Sequence, residues 1–432
     1  METKLTRIAE IAKEKPKEVF TALYHHLNQT MLMECHQELA GNKAAGVDQV
    51  TKEEYEKNLE ENISSLIEKL KKHSYKPQPV RRTYIPKGDG QKRPLGIPAY
   101  EDKIVQLGLN RILQAIYEQD FLKCSYGFRP SLSCHDALRE LGSIIQGKTN
   151  YIVDADIKGF FDNVNHEWLM KFLALRIGDP NILRLIIKFL KAGIMEEGKV
   201  ETSEIGTPQG AIISPTLANI YLHYVLDLWF EKAVKPSCKG EAHLVRYADD
   251  FVCCFQYKDE AERFYKALKE RLSKFQLEMA ESKSKIIQFG RFAEQDRNKR
   301  GLGKPETFDF LGFTHYCGKT RNGKFVTKRK TSKKKFKAKV KEFKQWVKTV
   351  RNRNIHEIFK TVEAKLRGHY NYYGVTDNYH MMSKYRIAII KLLFKWLNRR
   401  SQRKSFTWEK FDLFLKLKSL PNPKIHIDLW AC

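Results

Sequence analysis

His243-Leu244-Val245-Arg246-Tyr247-Ala248-Asp249-Asp250-Phe251-Val252-Cys253-Cys254-Phe255 is the stretch of this 432-residue chain from which its architecture can be read. Two apolar runs, His243–Val245 and Phe251–Phe255, flank the four residues Tyr247 to Asp250. The pattern predicts strand, tight turn, strand, with two carboxylates at the tip. Adjacent carboxylates repel, and a hard divalent cation relieves that repulsion. Mg²⁺ prefers one or two carboxylates together with substrate phosphates, so such a tip suits in-line phosphoryl or nucleotidyl transfer by two metals. Asp is also ordinary hairpin-turn chemistry, and the tip alone leaves both readings open.

Outward from the hairpin, Tyr151 to Ile157 reads as a buried strand on which Asp154 and Asp156 face the same way. Helices are predicted over 166–192, over 208–231 (opened by Pro208-Gln209-Gly210) and over 259–274, with strands near 285–289 and 308–316. Residues 1–75 read as helical, with Leu59, Ile63, Leu66, Ile67 and Leu70 on one face. Residues 76–98 read as a basic hairpin around Gly88-Asp89-Gly90, followed by a helix over 101–118. The Arg-, Lys- and Gly-rich stretch 291–305 is expected to be a flexible loop. This interleaving is α+β, without a βαβ period or an internal repeat.

After residue 318 the composition shifts. Lys319 to Asn354 holds sixteen Lys and Arg against one acid, Glu342. Phe336, Val340, Phe343, Val347 and Val350 nevertheless recur at helical spacing, so this is a folded basic helix, with two more over 356–372 and 380–399. The whole chain carries +27 at pH 7, with a pI near 9.6. That excess points to a polyanionic partner, with nucleic acid ahead of an anionic membrane surface. Hydrophobic content of 42% suits a folded protein of two or three domains. No apolar run reaches membrane-spanning length, and the N-terminus lacks the apolar core of a signal peptide. The eight cysteines form no CxxC pair, which excludes a zinc ribbon and favours a reducing, cytoplasmic setting. Cys253 and Cys254 are expected to be packed thiols.

A set of short motifs, in order, resembles the bacterial group II intron-encoded reverse transcriptases, also called maturases. They are Ala44-Ala45-Gly46-Val47-Asp48, Ile85-Pro86-Lys87, Arg93-Pro94-Leu95-Gly96-Ile97-Pro98 and Ser125-Tyr126-Gly127-Phe128-Arg129-Pro130. Asp156-Ile157-Lys158-Gly159-Phe160-Phe161-Asp162, Gly206-Thr207-Pro208-Gln209-Gly210, Tyr247-Ala248-Asp249-Asp250 and Phe310-Leu311-Gly312-Phe313 follow. Arg367-Gly368-His369-Tyr370-Asn371-Tyr372-Tyr373-Gly374 is similar to a maturase-domain motif. Each is weak alone; their shared order carries the resemblance.

The resemblance implies a right-hand polymerase: an N-terminal helical extension at 1–40, fingers with part of the palm at 41–149, palm at 150–318, helical thumb at 319–400, and a short segment at 401–432. It implies Asp156, Asp249 and Asp250 as catalytic acids, with Ile157 beside them at a site for two Mg²⁺ ions, Mn²⁺ being a substitute. Asp154 is the rival strand acid. In this family an aromatic sugar gate lies five residues after the catalytic Asp, which selects Asp156 and Phe161. Arg81, Lys87, Arg93, Gln209, Gly210 and Lys283 are implied at the nucleotide, Lys283 as a donor to the leaving pyrophosphate. Without the resemblance, Lys87 and Arg93 read equally as a solvated hairpin edge, Phe161 as core and Lys283 as surface. Tyr247, Phe310, Leu311, Gly312, Lys333, Lys334 and Lys337 are implied at the primer and template. Tyr370, Tyr372 and Tyr373 are read as packing residues.

The implied partners are an RNA template, a DNA or RNA primer, dNTPs and a group II intron RNA, with no membrane and no zinc. Many members of the family extend into an HNH endonuclease; the Cys and His clusters it needs are absent here, and Leu420 to Ile425 reads as the ending of a compact form. Two alternatives stay open. One is a reverse transcriptase of retron-like or domesticated repair lineage. The other is a non-catalytic RNA-binding splicing factor, which retention of the clustered acids argues against.

Overall fold

The computed structural model describes residues 2–86, 92–196, 199–201, 205–207, 209–400 and 406–430. Among them lie eleven strands: β1 (Val80–Pro86), β2 (Lys92–Ile97), β3 (Tyr151–Ala155), β4 (Ile194–Glu196), β5 (Lys199–Glu201), β6 (Ala242–Tyr247), β7 (Asp250–Phe255), β8 (Lys285–Gln288), β9 (Phe308–Phe310), β10 (Phe313–Lys319) and β11 (Phe325–Thr331). They form sheets of order β2-β1-β4-β5, β6-β7-β3-β8 and β11-β10-β9. The chain divides into two compact units. The first comprises Met1–Ser133, Val153–Cys253 and Asp259–Ile286; the second comprises Cys134–Ile152, Cys254–Lys258 and Ile287–Cys432.

The first unit begins with helices, as the periodicity predicts. Leu59–Lys71 buries Ile63, Leu66 and Leu70, with Leu59 and Ile67 half-buried at the margin of the stripe. The basic hairpin forms as β1 against β2, with Ile85 opposite Arg93. Its tip, with Lys87, lies outside the described residues, as does Pro208.

Helix Tyr100–Tyr117 runs through the core of this unit and carries a buried polar row, Asp102, Gln106 and Asn110. Residues four apart lie along one ridge of a helix. Each member has a specific partner from elsewhere. Asp102 accepts the Tyr75 hydroxyl and the Gln78 N–H. Gln106 accepts the Ile212 N–H at 2.9 Å, and Asn110 the Thr216 hydroxyl at 2.6 Å. These bonds offset the cost of burying the polar groups.

The predicted helix 166–192 is two helices, His166–Ala174 and Pro180–Leu190. Gly178-Asp179-Pro180 breaks it: Asp179 caps the second helix at Asn181 and Ile182, and proline takes its first position. The predicted helix 208–231 begins only at Ser214. It continues past Leu222 through two wide π-type turns, His223–Asp227 and Phe230–Val234.

In the second unit β9 turns into β10 through Leu311 and Gly312, whose φ values of 49° and 81° are those of a two-residue hairpin turn. β11 pairs with β10 along seven residues and was not foreseen, because its Lys-Arg-Lys run hides the alternation. Helix Cys134–Gln146 was likewise missed. The expected flexible loop at 291–305 instead contains helix Ala293–Lys299, tied down by Arg297 to the Gly303 carbonyl at 3.0 Å and to Glu306 at 3.3 Å. Helices Lys333–Val350, Ile355–Tyr373 and Tyr379–Leu397 form as expected, and Trp408–Leu417 adds a fourth. Lys333–Val350 starts on a Ser332 cap and buries Phe343, Val347 and Val350, with Phe336 and Val340 half-buried. Cys253 and Cys254 are buried free thiols. No described helix is long and apolar enough to cross a membrane.

Candidate active site

β7 and β3 are neighbours in their sheet, which brings the end of β3 beside the hairpin tip. Asp156 follows β3, and Asp249 occupies the turn between β6 and β7. The Asp249 carboxyl is held above its usual range by burial and by the negative charge of Asp156. Its own backbone N–H, Arg93 and Arg246 pull the other way. Asp250 opens β7 and is exposed. Asp154 lies within β3, two residues before Asp156.

The Lys283 ammonium sits 3.0 Å from Asp156 Oδ2, both groups being partly exposed. Ser284 donates its hydroxyl to the Ala280 carbonyl and accepts the Asp156 N–H, at 2.9 and 3.2 Å. Ile157 bridges Met279 in antiparallel fashion, with the flanking bonds made by Asp156 O and Lys158 N. In that geometry the Ile157 carbonyl points to the opposite edge.

Among the described residues, no three His, Cys, Asp or Glu side chains converge as a ready metal cluster. Two mutually repelling carboxylates and an outward backbone carbonyl are nevertheless the oxygen donors that suit a hard divalent cation.

Three distant motifs meet beside the acids. Gly159, at φ 53°, opens the turn Phe160–Asp162. Phe160 is buried, while Phe161 is only half-buried and meets it edge-to-face at 5.4 Å. The Thr207 N–H donates to Phe161 O at 2.7 Å, and the Gly96 N–H to Gln209 O at 2.6 Å. Gly210 has φ 109°, and a Cβ there would come within 2.8 Å of Gly96 O. β2, the Phe161 turn and residues Gly206, Thr207, Gln209 and Gly210 are thereby locked together. Arg93 is exposed on β2. Arg81 donates through Nε and Nη2 to the Ala45 carbonyl, at 3.1 and 2.6 Å, so two of its three nitrogens already serve the fold.

Tyr247 is half-buried at the end of β6. In the second unit Phe310 and Leu311 are buried, so a strand passing this turn would meet Gly312 and backbone rather than the Phe310 side chain. Tyr372 donates to Leu311 O at 2.9 Å, Tyr370 to Pro421 O at 3.3 Å, and Tyr373 packs 5.2 Å from Phe313. All three tyrosines pack. Lys333, Lys334 and Lys337 are exposed on their helix.

The model of the reverse transcriptase (RNA-dependent DNA polymerase) family matches residues 85–315, more than half of the chain. The chain belongs to the reverse transcriptase family. With that membership comes the α+β right-hand polymerase fold expected from the motif order. A second model, the group II intron maturase-specific domain, matches residues 333–414 of the chain. Group II intron-encoded protein LtrA of Lactococcus lactis subsp. cremoris is 43% identical over 230 residues, covering 52% of this chain and 38% of LtrA. Protein YkfC of Escherichia coli K12 is 36% identical over 241 residues, 49% of this chain and 63% of YkfC. A protein encoded in the cob intron of Schizosaccharomyces pombe is 44% identical over 169 residues, 39% of this chain and 21% of that protein. The chain covers less than two thirds of each.

Arg246, which none of the motifs singles out, is fully buried beneath the hairpin tip. The available signal was a charge inside an otherwise apolar strand.

Proposed function

We propose that this chain is an RNA-directed DNA polymerase of a group II intron, extending a DNA or RNA primer on an RNA template with dNTPs and binding its intron RNA to assist splicing and retrohoming. The observation that carries the reading is the placement of Asp156, just past the end of β3, beside Asp249, in the turn that leads into the neighbouring strand β7. We assign the fingers with part of the palm to 41–149, the palm to 150–318 and the thumb to 319–400, with 1–40 a helical extension and 401–432 a short final segment.

Asp156 and Asp249, with the Ile157 carbonyl and assistance from Asp250, would hold two divalent cations, Mg²⁺ with Mn²⁺ as substitute. Bound there, the cations would supply Lewis-acid activation of the primer hydroxyl and charge stabilisation at the leaving phosphates. Arg93, with Lys87 and Arg81, would neutralise the triphosphate, Arg being suited to bidentate phosphate contact. Phe161, half-open on its turn, would lie under the sugar and exclude a 2′-hydroxyl. Gln209 and Gly210 would border the nascent base pair, where a backbone held against Gly96 gives a fixed wall. Lys283 would release Asp156 and donate a proton to the departing pyrophosphate. Tyr247 and the Leu311-Gly312 turn would flank the primer, and Lys333, Lys334 and Lys337 would meet phosphates without base specificity.

Primer extension on an RNA template with dNTPs and Mg²⁺ tests this, comparing wild type with Asp249→Asn. Extension by wild type that falls at least about 1000-fold in the variant is expected, since the acid is a metal ligand. A folded wild type that binds RNA and extends nothing would leave an RNA-binding splicing factor as the better reading.

A further inference from the structure

Arg246 makes an unusually complete set of bonds. A guanidinium has five N–H donors in a planar fork. Nε donates to Asp227 Oδ1 at 2.7 Å, and Nη2 to Asp227 Oδ2 at 2.5 Å and Ser125 Oγ at 2.7 Å. Nη1 donates to Asn219 Oδ1 and to the Ala248 carbonyl, both at 2.9 Å. All five donors are therefore spent, in a side chain with no exposure. The backbone is held as well: Arg246 N–H donates to Cys124 O at 2.7 Å, and its carbonyl accepts the Tyr126 N–H at 2.9 Å.

Two of these partners depend on the irregular helix. Asn219 and Asp227 are eight residues apart, which on a regular α-helix leaves them roughly 80° out of line. The π-type turn His223–Asp227 winds more widely and closes most of that gap, so both side chains meet one guanidinium. The wide turn thus has a geometric purpose.

The bond to the Ala248 carbonyl reaches the site. Arg246 lies on β6, and Ala248 is the first residue of the turn that follows it. Ala248 has φ 58°, a left-handed conformation unusual for alanine. Its carbonyl belongs to the planar peptide whose nitrogen is that of Asp249, so fixing one fixes the other. Gly127 presses on the preceding peptide, Tyr247–Ala248: a Cβ there would overlap the Ala248 nitrogen. Asn219 Nδ2 in turn holds the Gly127 carbonyl at 2.7 Å.

We infer that Arg246, seated on Asp227 by the π-type turn, is a positioning residue that sets the orientation of Asp249 through the Ala248 peptide. The inference rests on the polymerase reading above. It differs from simple core packing because the bond that matters is to one carbonyl at the hairpin tip. Lysine cannot reproduce it, having a single point of charge in place of a planar fork.

The test uses the whole chain and begins with wild-type and Asp249→Asn extension, which judges the polymerase reading alone. Arg246→Lys is then compared with wild type for kcat, dNTP KM and melting temperature, and for amide hydrogen exchange over 247–250 in metal-free buffer. We expect kcat per folded molecule to fall about 100-fold with KM nearly unchanged, as for misplacement of a reacting group. Exchange at the tip is expected to quicken while that of helix Tyr100–Tyr117 stays at the wild-type rate. A folded Arg246→Lys with wild-type kcat and tip exchange overturns the inference, and so does a lowered melting temperature with both unchanged. Should that variant not fold, Ser125→Ala decides. It removes one acceptor only, and should quicken tip exchange and lower kcat about fivefold; no change in either overturns the inference. If wild type extends no primer, the polymerase reading fails, and the exchange comparison still decides whether Arg246 holds the tip.

Discussion

At the scale of single residues, Phe160 and Phe161 show how neighbours of one type divide their tasks. Phe160 is buried among aromatics, 6.3 Å from Tyr221, and Phe161 is left partly open beside the acids. Phe161→Ala should therefore leave stability almost unchanged while admitting ribonucleotides. Discrimination between dNTP and rNTP is expected to drop by about 100-fold in kcat/KM, and wild-type discrimination in single-nucleotide incorporation would remove Phe161 as the gate. The acids were legible because Asp at a hairpin tip and Asp at a strand end are both exposed to pattern reading. Arg246 and Asp227 were not, because their relation spans two elements and depends on a π-type turn that no local propensity announces. The Lys283–Asp156 contact was hidden for the same reason: nothing in Ser282-Lys283-Ser284-Lys285 announces an acidic partner more than a hundred residues away.

At the scale of elements, apolar periodicity found helices and gave their faces, but not their breaks. Gly178-Asp179-Pro180 carries a cap and a stop that outweigh the continuous apolar pattern around it. β11 was obscured because Arg329, a cation buried on its inward face, interrupts the alternation, and the chain on both sides is equally basic. Helix Lys333–Val350 was legible in spite of its charge, since its buried face keeps a strict spacing. Lys333, Lys334 and Lys337 are all exposed on its first turns. Reversing these three charges to Glu should weaken binding of RNA. The slope of log affinity against log salt should become shallower by about 2 to 3, near one unit per lost phosphate contact. An unaltered slope in filter binding across a salt series would mean that the RNA bypasses this face.

For the molecule as a whole, the charge of +27 is a property of its surface, and its folding rests on a core that includes acids. Asp102 is the clearest of these. Burial raises its pKa to about 7, although Tyr75 and Gln78 both donate to it. The folded state then binds more protons than the unfolded chain between the ordinary carboxylate range and neutrality. This contribution to stability is full at low pH and is lost as pH rises toward 7. Asp102→Asn should flatten that segment of the stability curve, with a wild-type-minus-variant difference of a few kcal/mol at most across pH 4 to 7. Chemical denaturation at a series of pH values measures it; parallel curves would show Asp102 ionised in the fold. The row that Asp102 shares with Gln106 and Asn110 has a broader consequence. Three polar partners, drawn from segments near residues 75, 212 and 216, are indexed to one helix at intervals of a single turn. A slip of the helix by one residue would unmake all three at once, so the segments dock in register or not at all. The helix works as a ruler, and its graduations are hydrogen bonds.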